Sequence, residues 1–267
     1  MTTSNNVWAD EAPLYSQTRP AAPPALIEIL TQMIHTPHPT LVVDLGSGTG
    51  LSTTIWSERA KRVIGIEPSD EMRSEAAQAL AANPRLSNIT YQAGVAHQTG
   101  LPDNSVDILT CAQSFHWMEP TSTLAEIARI LHPGGVFAAY DYDWPPVVVW
   151  ELERAFEEFD ERFDRLMKTR GGGNRAPKWS KEGHLERIRA SGHFRFTREL
   201  LLHHREEGDA SRFFDLIMTN GYNFHIRQGS VIEEELKVDD LREAANRHIG
   251  FNPVPFYFSY RVRIGIK

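Results

Sequence analysis

The sequence is poor in cysteine: its 267 residues contain only Cys111, which lies in an apolar run. A single cysteine excludes an internal disulfide, and without a cluster of ligating side chains we expect no metal site. We expect Cys111 to be a buried strand thiol. The sequence also lacks a run of about 18 apolar residues, the length of a membrane-spanning helix. Its N-terminus lacks the charged and apolar segments of a secretory signal. These absences favour a cytoplasmic protein with no membrane partner.

Basic residues are outnumbered by acidic ones, with 28 Lys and Arg against 35 Asp and Glu and a net charge of −7. No block of like charge occurs in the chain, so we expect no broad surface for nucleic acid, whose phosphates attract clustered positive charge. We therefore expect a small-molecule partner. The sequence gives no indication of the oligomeric state.

Strands and helices alternate from Thr40 onward. Short apolar runs predict five strands: LVVDL, KRVIGIE, NITYQAG, SVDILTCAQ and GVFAAYDYD. Helical patterns lie between them, from Gly50 to about Ala60, over SDEMRSEAAQALAAN with Ser69 as the N-cap, and over TSTLAEIARIL before the stop signal HPGG. Apolar strands that alternate with helices predict an α/β fold with a parallel sheet covered on both faces.

The pattern changes after Trp144. We expect helices over ELERAFEEFDERFDRLMK, KEGHLERIRASG, DASRFFDLIMTNG and SVIEEELKVDDLREAANRHIG. Two further segments alternate as strands do, HFRFTRELLLHHRE and the last one, PFYFSYRVRIGI, for which we expect one solvent-facing side. Residues 1–24 are polar and contain proline, so they predict a loosely ordered arm before a helix over 25–35.

Three glycines at alternate positions follow the first predicted strand, in LVVDLGSGTG. Ligands of open α/β sheets bind at the carboxyl ends of strands, where glycine allows close approach to the main chain. Two ligand classes fit this layout. A dinucleotide site would need its last glycine at Leu51, whereas the observed spacing, DxGxGxG from Asp44, is typical of S-adenosylmethionine sites. Both classes use an acidic residue at the end of the second strand for the ribose hydroxyls, and Glu67 fits that role.

The wider pattern decides between them. The segments VVDLGSGTG, VIGIEPSDEM, LPDNSVDILTCAQSFHWME and LHPGGVFA occur in this order over about residues 40–140. Together they resemble the class I S-adenosylmethionine-dependent methyltransferases, of the type 11 group. YSQTRP and QSFHW are similar to the trans-aconitate methyltransferases and their relatives. The resemblance implies a Rossmann-like, doubly wound seven-stranded sheet, mostly parallel with one antiparallel strand, and a helical cap.

The resemblance also implies a domain organisation. We expect a single methyltransferase domain over 1–267. Residues 1–35 would form an N-terminal arm and helix over the cofactor, and 38–143 the cofactor-binding core. Residues 144–191 would form a helical lid, with Gly171–Gly173 as its hinge, and 192–267 the last two strands with a further helical insert.

The resemblance assigns cofactor contacts residue by residue. The residues expected to bind S-adenosylmethionine are Tyr15, Arg19, Asp44, Gly46, Ser47, Gly48, Glu67, Pro68, Met72, Gly94, Val95 and Gln113. Arg19 would pair with the cofactor carboxylate, Gln113 would meet the methionyl end, and Asp44 would organise the turn or bind the amino group through water. Val95 stands where relatives often carry an acidic residue for the adenine amine, so main chain, water or His97 would take that contact.

Methyl transfer from a sulfonium needs alignment and exclusion of water, and it needs a base only for certain nucleophiles. His116, just past the fourth strand, is the main candidate base; alternatively its ring orients the loop beside Trp117. Asp141 and Asp143 are weaker candidates. The expected substrate contacts are Trp117, Trp144, Trp179 and Tyr222. Residues Arg170, Arg175 and Lys178 are candidates for holding an anionic acceptor.

Three other functions are consistent with parts of this pattern. The protein could be a nucleotide-dependent oxidoreductase, although the glycine spacing and HPGG argue against this. It could be an S-adenosylmethionine-binding module without turnover, which Val95 would favour. It could also carry out a different reaction with the same cofactor on the same fold. The sequence names neither the acceptor nor the methylated atom.

Overall fold

The computed structural model describes residues 12–170 and 178–267. Its strands are β1 Leu41–Leu45, β2 Arg62–Ile66, β3 Ile89–Gln92, β4 Val106–Ala112, β5 Leu131–Tyr142, β6 Phe196–Gly208 and β7 Val254–Ile266. Its helices are α1 Ala12–Thr18, α2 Pro24–Met33, α3 Leu51–Thr54, α4 Asp70–Ala81, α5 Pro120–Ile130, α6 Trp150–Thr169, α7 His184–Ala190, α8 Ala210–Met218, α9 Tyr222–Arg227, α10 Glu233–Leu236 and α11 Val238–His248. Phe115–Trp117 and Lys181–Gly183 form single 3₁₀ turns.

All seven strands form one sheet in the order β3-β2-β1-β4-β5-β7-β6. The pairs β2–β3, β1–β2, β1–β4 and β4–β5 are parallel, whereas β5 and β7 are antiparallel. The predicted mostly parallel, doubly wound sheet is therefore confirmed. Because β1 and β4 are neighbours on opposite sides of the reversal in strand order, the loops after them meet at the position where such sheets bind ligands.

The central strands are apolar because both of their faces are covered. Four of the five residues of β1 and of β2 are buried, and so are the corresponding positions of β4. Cys111 is buried on β4, and burial raises its thiol pKa, so the prediction of an inert strand thiol is confirmed. Ser69 is confirmed as the N-cap of α4, because its hydroxyl accepts from the Met72 N–H at 3.2 Å.

Several expected elements differ from the observed ones. The helix expected from Gly50 to Ala60 is helical only over α3. Strand β5 begins at Leu131, the last residue of the expected helix, and so includes the HPGG segment expected only to stop that helix. Part of the arm expected to be loose is the helix α1. The single helix expected over 230–250 is two helices, because Lys237 takes a left-handed conformation with φ 57°.

The expected solvent-facing side of the last strand is also wrong in part. Residues of β7 alternate between buried and more exposed up to Arg261, but Val262 to Ile266 are all buried. The reason is packing: a Cβ on Gly265 would lie 2.7 Å from Phe194 and 3.1 Å from Ile188, so the segment of α7 and the residues after it covers the second face along this half. Arg263 is consequently buried, at 2% exposure.

The chain divides into two compact units. The first, here called the helical unit, comprises the described residues of Met1–Pro20, Asp143–Ala176 and His203–Phe258. The second, the sheet unit, comprises Ala21–Tyr142, the described residues of Pro177–Leu202, and Ser259–Lys267. The sheet unit holds one continuous apolar core around β1, β2, β4 and β5. Over the described residues, no helix combines the length and apolar character that crossing a membrane requires.

Candidate cofactor and active site

The glycine turn after β1 uses its three glycines differently. Each has a positive φ, which glycine adopts without strain. A side chain on Gly46 would come within 2.7 Å of Ser114 Cβ, and one on Gly50 would overlap the Tyr91 hydroxyl, so both glycines allow close packing of the protein itself. A Cβ on Gly48 would meet no atom within 4 Å. Only Gly48 therefore borders open space, and a ligand can lie against its main chain.

Asp44 stabilises the turn through the hydrogen bonds of its side chain. Its buried carboxylate accepts hydrogen bonds from the hydroxyls of Ser52, Thr53 and Thr110, the last at 2.9 Å. Burial raises the pKa of this carboxyl, which these three hydrogen bonds counteract. With three donors already bound, Asp44 ties β1 to α3 and β4. This arrangement favours its expected role in organising the turn.

Glu67, just past β2, lies beside the same turn. Its carboxylate accepts from the Gly48 N–H at 3.0 Å and, with its other oxygen, from the Ser69 N–H at 3.0 Å. Burial raises the pKa of Glu67. The structure therefore places an acidic side chain directly at the glycine that borders open space, as the sequence pattern predicts.

Several buried polar atoms near the turn have no hydrogen-bond partner among the described residues, among them Ser47 Oγ, Thr49 Oγ1 and Gln113 Nε2. Buried polar groups are nearly always paired, so each such atom calls for an explanation. Ser47 is within the turn after β1, and Gln113 follows β4, the neighbouring strand. Together with the open space at Gly48, these atoms fit a ligand that is rich in polar groups, as a nucleoside carrying an amino acid is.

The remaining expected cofactor contacts in the sheet unit follow β2 and β3. Met72 is buried in the first turn of α4, whereas Pro68 is exposed. Gly94 packs closely, since a Cβ there would lie 2.8 Å from the Ile66 side chain. Val95 is 40% exposed and pairs with Gln98 in an isolated bridge. The structure thus places an exposed apolar side chain where an acidic one is common.

His116 lies in the 3₁₀ turn after β4 and is 8% exposed. Its ring stacks on His184 at a centroid distance of 6.5 Å, and its carbonyl accepts from the Trp179 N–H at 2.8 Å. Burial, and then the charges of Lys181 and Lys178, lower the His116 pKa to about 2. A neutral imidazole with so low a pKa is a weak base. The geometry therefore favours the second expected role, in which the ring orients its loop.

We expect His116 and His184 to make the protein acid-sensitive. Burial, with Arg263, Arg187 and Lys181 nearby, lowers the His184 pKa to about 3. Both rings stay neutral when folded but take up a proton below about pH 6.5 when unfolded. The free energy of unfolding should therefore decrease as the pH is lowered, by about 2 kcal/mol per histidine from pH 6.5 to pH 5.

Chemical denaturation at pH 7.5 and pH 5 measures this dependence. His184→Gln should lose about half of the decrease, and the exposed His97→Gln should keep all of it. Equal pH dependence in the His184 variant and the wild type would contradict the assignment.

Four expected site residues lie in the helical unit. The guanidinium of Arg19 lies over the rings of Tyr15 and Trp144, at 4.5 Å and 5.1 Å, and donates to the Thr219 carbonyl at 2.9 Å. Tyr222 is buried and donates its hydroxyl to Asp160 at 2.6 Å. Tyr222 is thus part of this unit's core, and its expected substrate contact remains a prediction, as do those of Arg19, Tyr15 and Trp144.

The remaining residues expected to bind the acceptor lie in different environments. The ammonium group of Lys178 lies 4.3 Å from the Trp117 ring centroid, and Trp179 is 41% exposed. Arg170 pairs with Glu235 at the protein surface. The expected hinge Gly171–Gly173 and Arg175 lie outside the described residues. No group of three or more His, Cys, Asp or Glu side chains within 12–170 and 178–267 is arranged to hold a metal ion.

Sequence reasoning missed Lys181. Its ammonium group donates to Gln113 Oε1 at 2.7 Å and lies 3.7 Å from Asp141 Oδ1. Asp141, a weak candidate base, is buried and paired with Arg263. Lys181 is 68 residues from Gln113 in the chain, in a segment that resembles no part of the family pattern, so no local signal marks it.

Comparisons with known proteins bear on the segment that forms this turn. Residues 43–139 match the family model described as "Methyltransferase domain" of the type 11 group. Over residues 43–139 the chain is therefore similar to the methyltransferase domains of this group. The expected family is thereby confirmed, and the type 11 match covers the turn, Glu67, Gln113 and His116.

Two relatives show how far the similarity extends in sequence. An uncharacterized methyltransferase of Mycobacterium tuberculosis is 37% identical over 121 residues, covering 45% of this chain and 46% of that protein. One of Schizosaccharomyces pombe is 28% identical over 160 residues, covering 59% and 58%. The chain thus spans about half the length of the curated relatives it matches.

Solved structures show the fold over a longer stretch. A structure described as a type II methyltransferase from Anaeromyxobacter dehalogenans has a TM-score of 0.65 and 24% identity, covering 93% of this chain and 97% of that one. The [4+2]-cyclase SpnF has a TM-score of 0.56 and 16% identity, covering 97% and 93%. At these identities the likeness establishes the fold, and the reaction must be argued from the site.

Proposed function

We propose that this protein transfers a methyl group from S-adenosylmethionine to a small-molecule acceptor. The observation that carries the proposal is the open space at Gly48, bordered by the Glu67 carboxylate and flanked by the buried, unpartnered atoms Ser47 Oγ and Gln113 Nε2. A diphosphate would need free main-chain N–H groups at this turn, whereas the Gly48 N–H already donates to the Glu67 carboxylate. An adenosyl amino acid supplies hydroxyls for the acidic group and polar atoms for the other two.

In this proposal the sheet unit holds most of the cofactor. Glu67 binds the two ribose hydroxyls, and Pro68 and Met72 flank the adenine together with Gly94 and Val95. Ser47 and Gln113 bind the amino-acid end at the turn formed by Gly46 and Gly48. The resemblance also assigns Tyr15 and Arg19 to the cofactor, with Arg19 paired to its carboxylate.

The bound sulfonium supplies an already activated methyl group, so the chain's own residues need to align the acceptor and exclude water. We assign His116 to alignment, because its lowered pKa makes proton abstraction unfavourable. The acceptor would contact the aromatic side chains Trp117, Trp144, Trp179 and Tyr222. Lys178, over the Trp117 ring, would attract an acceptor that carries a negative group.

Titration calorimetry tests the cofactor part. Wild-type protein should bind S-adenosylmethionine and S-adenosylhomocysteine, and should bind NAD⁺ and NADP⁺ at least about 100-fold more weakly, a difference of about 2.7 kcal/mol. Binding of the dinucleotides alone would overturn the proposal in favour of an oxidoreductase.

A panel of carboxylate, hydroxyl and amine acceptors tests the reaction. Formation of S-adenosylhomocysteine together with a methylated product is the expected result. Tight binding without any methyl transfer across the panel would favour a binding module, and a changed acceptor without methylation would favour another reaction.

His116→Gln should keep kcat at saturating acceptor within about tenfold of the wild type, because a general base would contribute 10²- to 10⁴-fold. The pH profile of kcat should also stay unchanged. The same acceptor is used for the control His193→Gln, which changes an exposed residue between α7 and β6. A loss of 100-fold or more with a shifted profile would restore the base assignment.

A further inference from the structure

The side-chain amide of Gln113 has a fixed orientation. Its Oε1 accepts from the Lys181 ammonium group at 2.7 Å. An ammonium group has donors only, so the amide oxygen must face Lys181 and the NH₂ group must point away from it. That NH₂ group is buried and has no hydrogen-bond partner in the described chain. Gln113 therefore presents an unused donor.

The backbone of Gln113 is fixed as well. Its φ is 52°, in the left-handed region that few non-glycine residues adopt, and its N–H donates to the Tyr140 carbonyl at 2.9 Å. Such conformations persist where the surrounding structure holds them and are frequent at functional sites. The side chain thus leaves the end of β4 in one direction, and Lys181 determines which end of the amide is available.

Lys181 is itself held by a buried ionic network. Its ammonium group lies 3.7 Å from Asp141 Oδ1, and the other Asp141 oxygen accepts from Arg263. Arg263 also donates to Glu199 Oε2 at 2.7 Å. Through Lys181, the network fixes the orientation of the Gln113 side-chain amide.

We propose that Lys181 is a positioning residue, which turns the Gln113 amide so that its NH₂ group donates to the carboxylate of the bound cofactor. The inference rests on the proposed function. A carboxylate has acceptors only, whereas the cofactor's ammonium group has donors only. Of the two charged groups at the amino-acid end, the unpaired NH₂ group of the amide can therefore bind only the carboxylate.

Calorimetry with three nucleosides tests this assignment. S-adenosylhomocysteine carries the carboxylate and the ammonium group, its decarboxylated analogue carries the ammonium group alone, and 5′-methylthioadenosine carries neither. Lys181→Met should weaken S-adenosylhomocysteine binding about tenfold or more, because hydrogen bonds to charged groups are worth about 1.5–3 kcal/mol. Binding of the other two nucleosides should stay within about twofold of the wild type, under 0.5 kcal/mol.

Three further variants make the test specific. The control Lys61→Met removes an exposed lysine at the opposite end of β2 and should change nothing. Lys181→Arg restores a donor and should recover most of the affinity. In a Gln113→Ala background, Lys181→Met should have no further effect, because the amide that it orients is gone.

The possible outcomes distinguish a failure of the positioning role from a failure of the proposed function. If wild-type protein binds none of the three nucleosides, the proposed function fails. If it binds S-adenosylhomocysteine but Lys181→Met matches the wild type, or weakens all three nucleosides equally, only the positioning role fails. Thermal unfolding of each variant, measured alongside, identifies any that are misfolded. If Lys181→Met is one of them, Lys181→Gln replaces it in the comparison with Lys61→Met, because an amide carries both a donor and an acceptor and no longer fixes the orientation of Gln113.

Discussion

Gly48→Asn is expected to weaken S-adenosylhomocysteine binding at least about 100-fold while lowering the melting temperature by no more than about 3 °C, the effect of about 1 kcal/mol. Gly48 has a φ of 54°, and asparagine is among the residues that tolerate this region. A Cβ at this position meets no protein atom within 4 Å. The new side chain would therefore occupy the space proposed for the ligand while leaving the protein's own packing intact.

Gly192→Asn is the matched control. Gly192 has a φ of 70° and also has no atom within 4 Å of an added Cβ, but it lies between α7 and β6, outside the glycine turn. Both variants carry the same backbone cost, so the difference in affinity between them reports the blocked space alone. If Gly48→Asn binds the nucleoside as tightly as Gly192→Asn does, the ligand lies elsewhere.

Gly50→Ala, in contrast to Gly48→Asn, should mainly lower the stability of the protein. Its added methyl group would overlap the Tyr91 hydroxyl at a φ of 90°. We expect a loss of about 2–4 kcal/mol in the free energy of unfolding from the strained backbone and the overpacked contact together. Urea denaturation measures it, with Gly100→Ala as control, since Gly100 shares a positive φ but meets no atom within 4 Å. Equal losses in the two variants would contradict a packing role for Gly50.

The sequence predicts the sheet well because its strands are short apolar runs bounded by clear breaks. The turn after β1 and the acidic residue after β2 are also local patterns, so Asp44, Gly48 and Glu67 are identified without a structure. The sequence treats the three glycines alike, however. Their separate roles depend on Ser114 and Tyr91, which belong to other strands or the loops after them and come near only in the folded chain.

Long-range partners explain what the sequence could not predict. Lys181 and Gln113 meet across 68 residues, and Arg263 and Asp141 across 122. Arg263 lies on the same face of β7 as Gly265, and that face is buried because Ile188 and Phe194 pack on it in the folded chain. The break at Lys237 has no glycine or proline to mark it. Each case depends on tertiary context.

Arg263→Met is expected to lower the free energy of unfolding by about 3–5 kcal/mol, because it leaves a buried carboxylate without its main counter-charge. Arg263 and Asp141 are both buried, and Arg263 also pairs with Glu199. Lys181 remains 3.7 Å from Asp141 but binds its other oxygen. For a chain of this size the melting temperature should fall by about 10 °C, as differential scanning calorimetry would measure.

Arg205→Met is the surface control for this variant, since its pair with Glu207 is half exposed and should be worth at most about 1 kcal/mol. Adding Asp141→Asn to Arg263→Met should recover part of the loss, because the uncompensated charge is then removed along with its partner. A loss in Arg263→Met no larger than that in Arg205→Met would show that the network contributes no more than a surface pair does. In that case Lys181 would have no rigid support, and the orientation of the Gln113 amide would depend on the lysine alone.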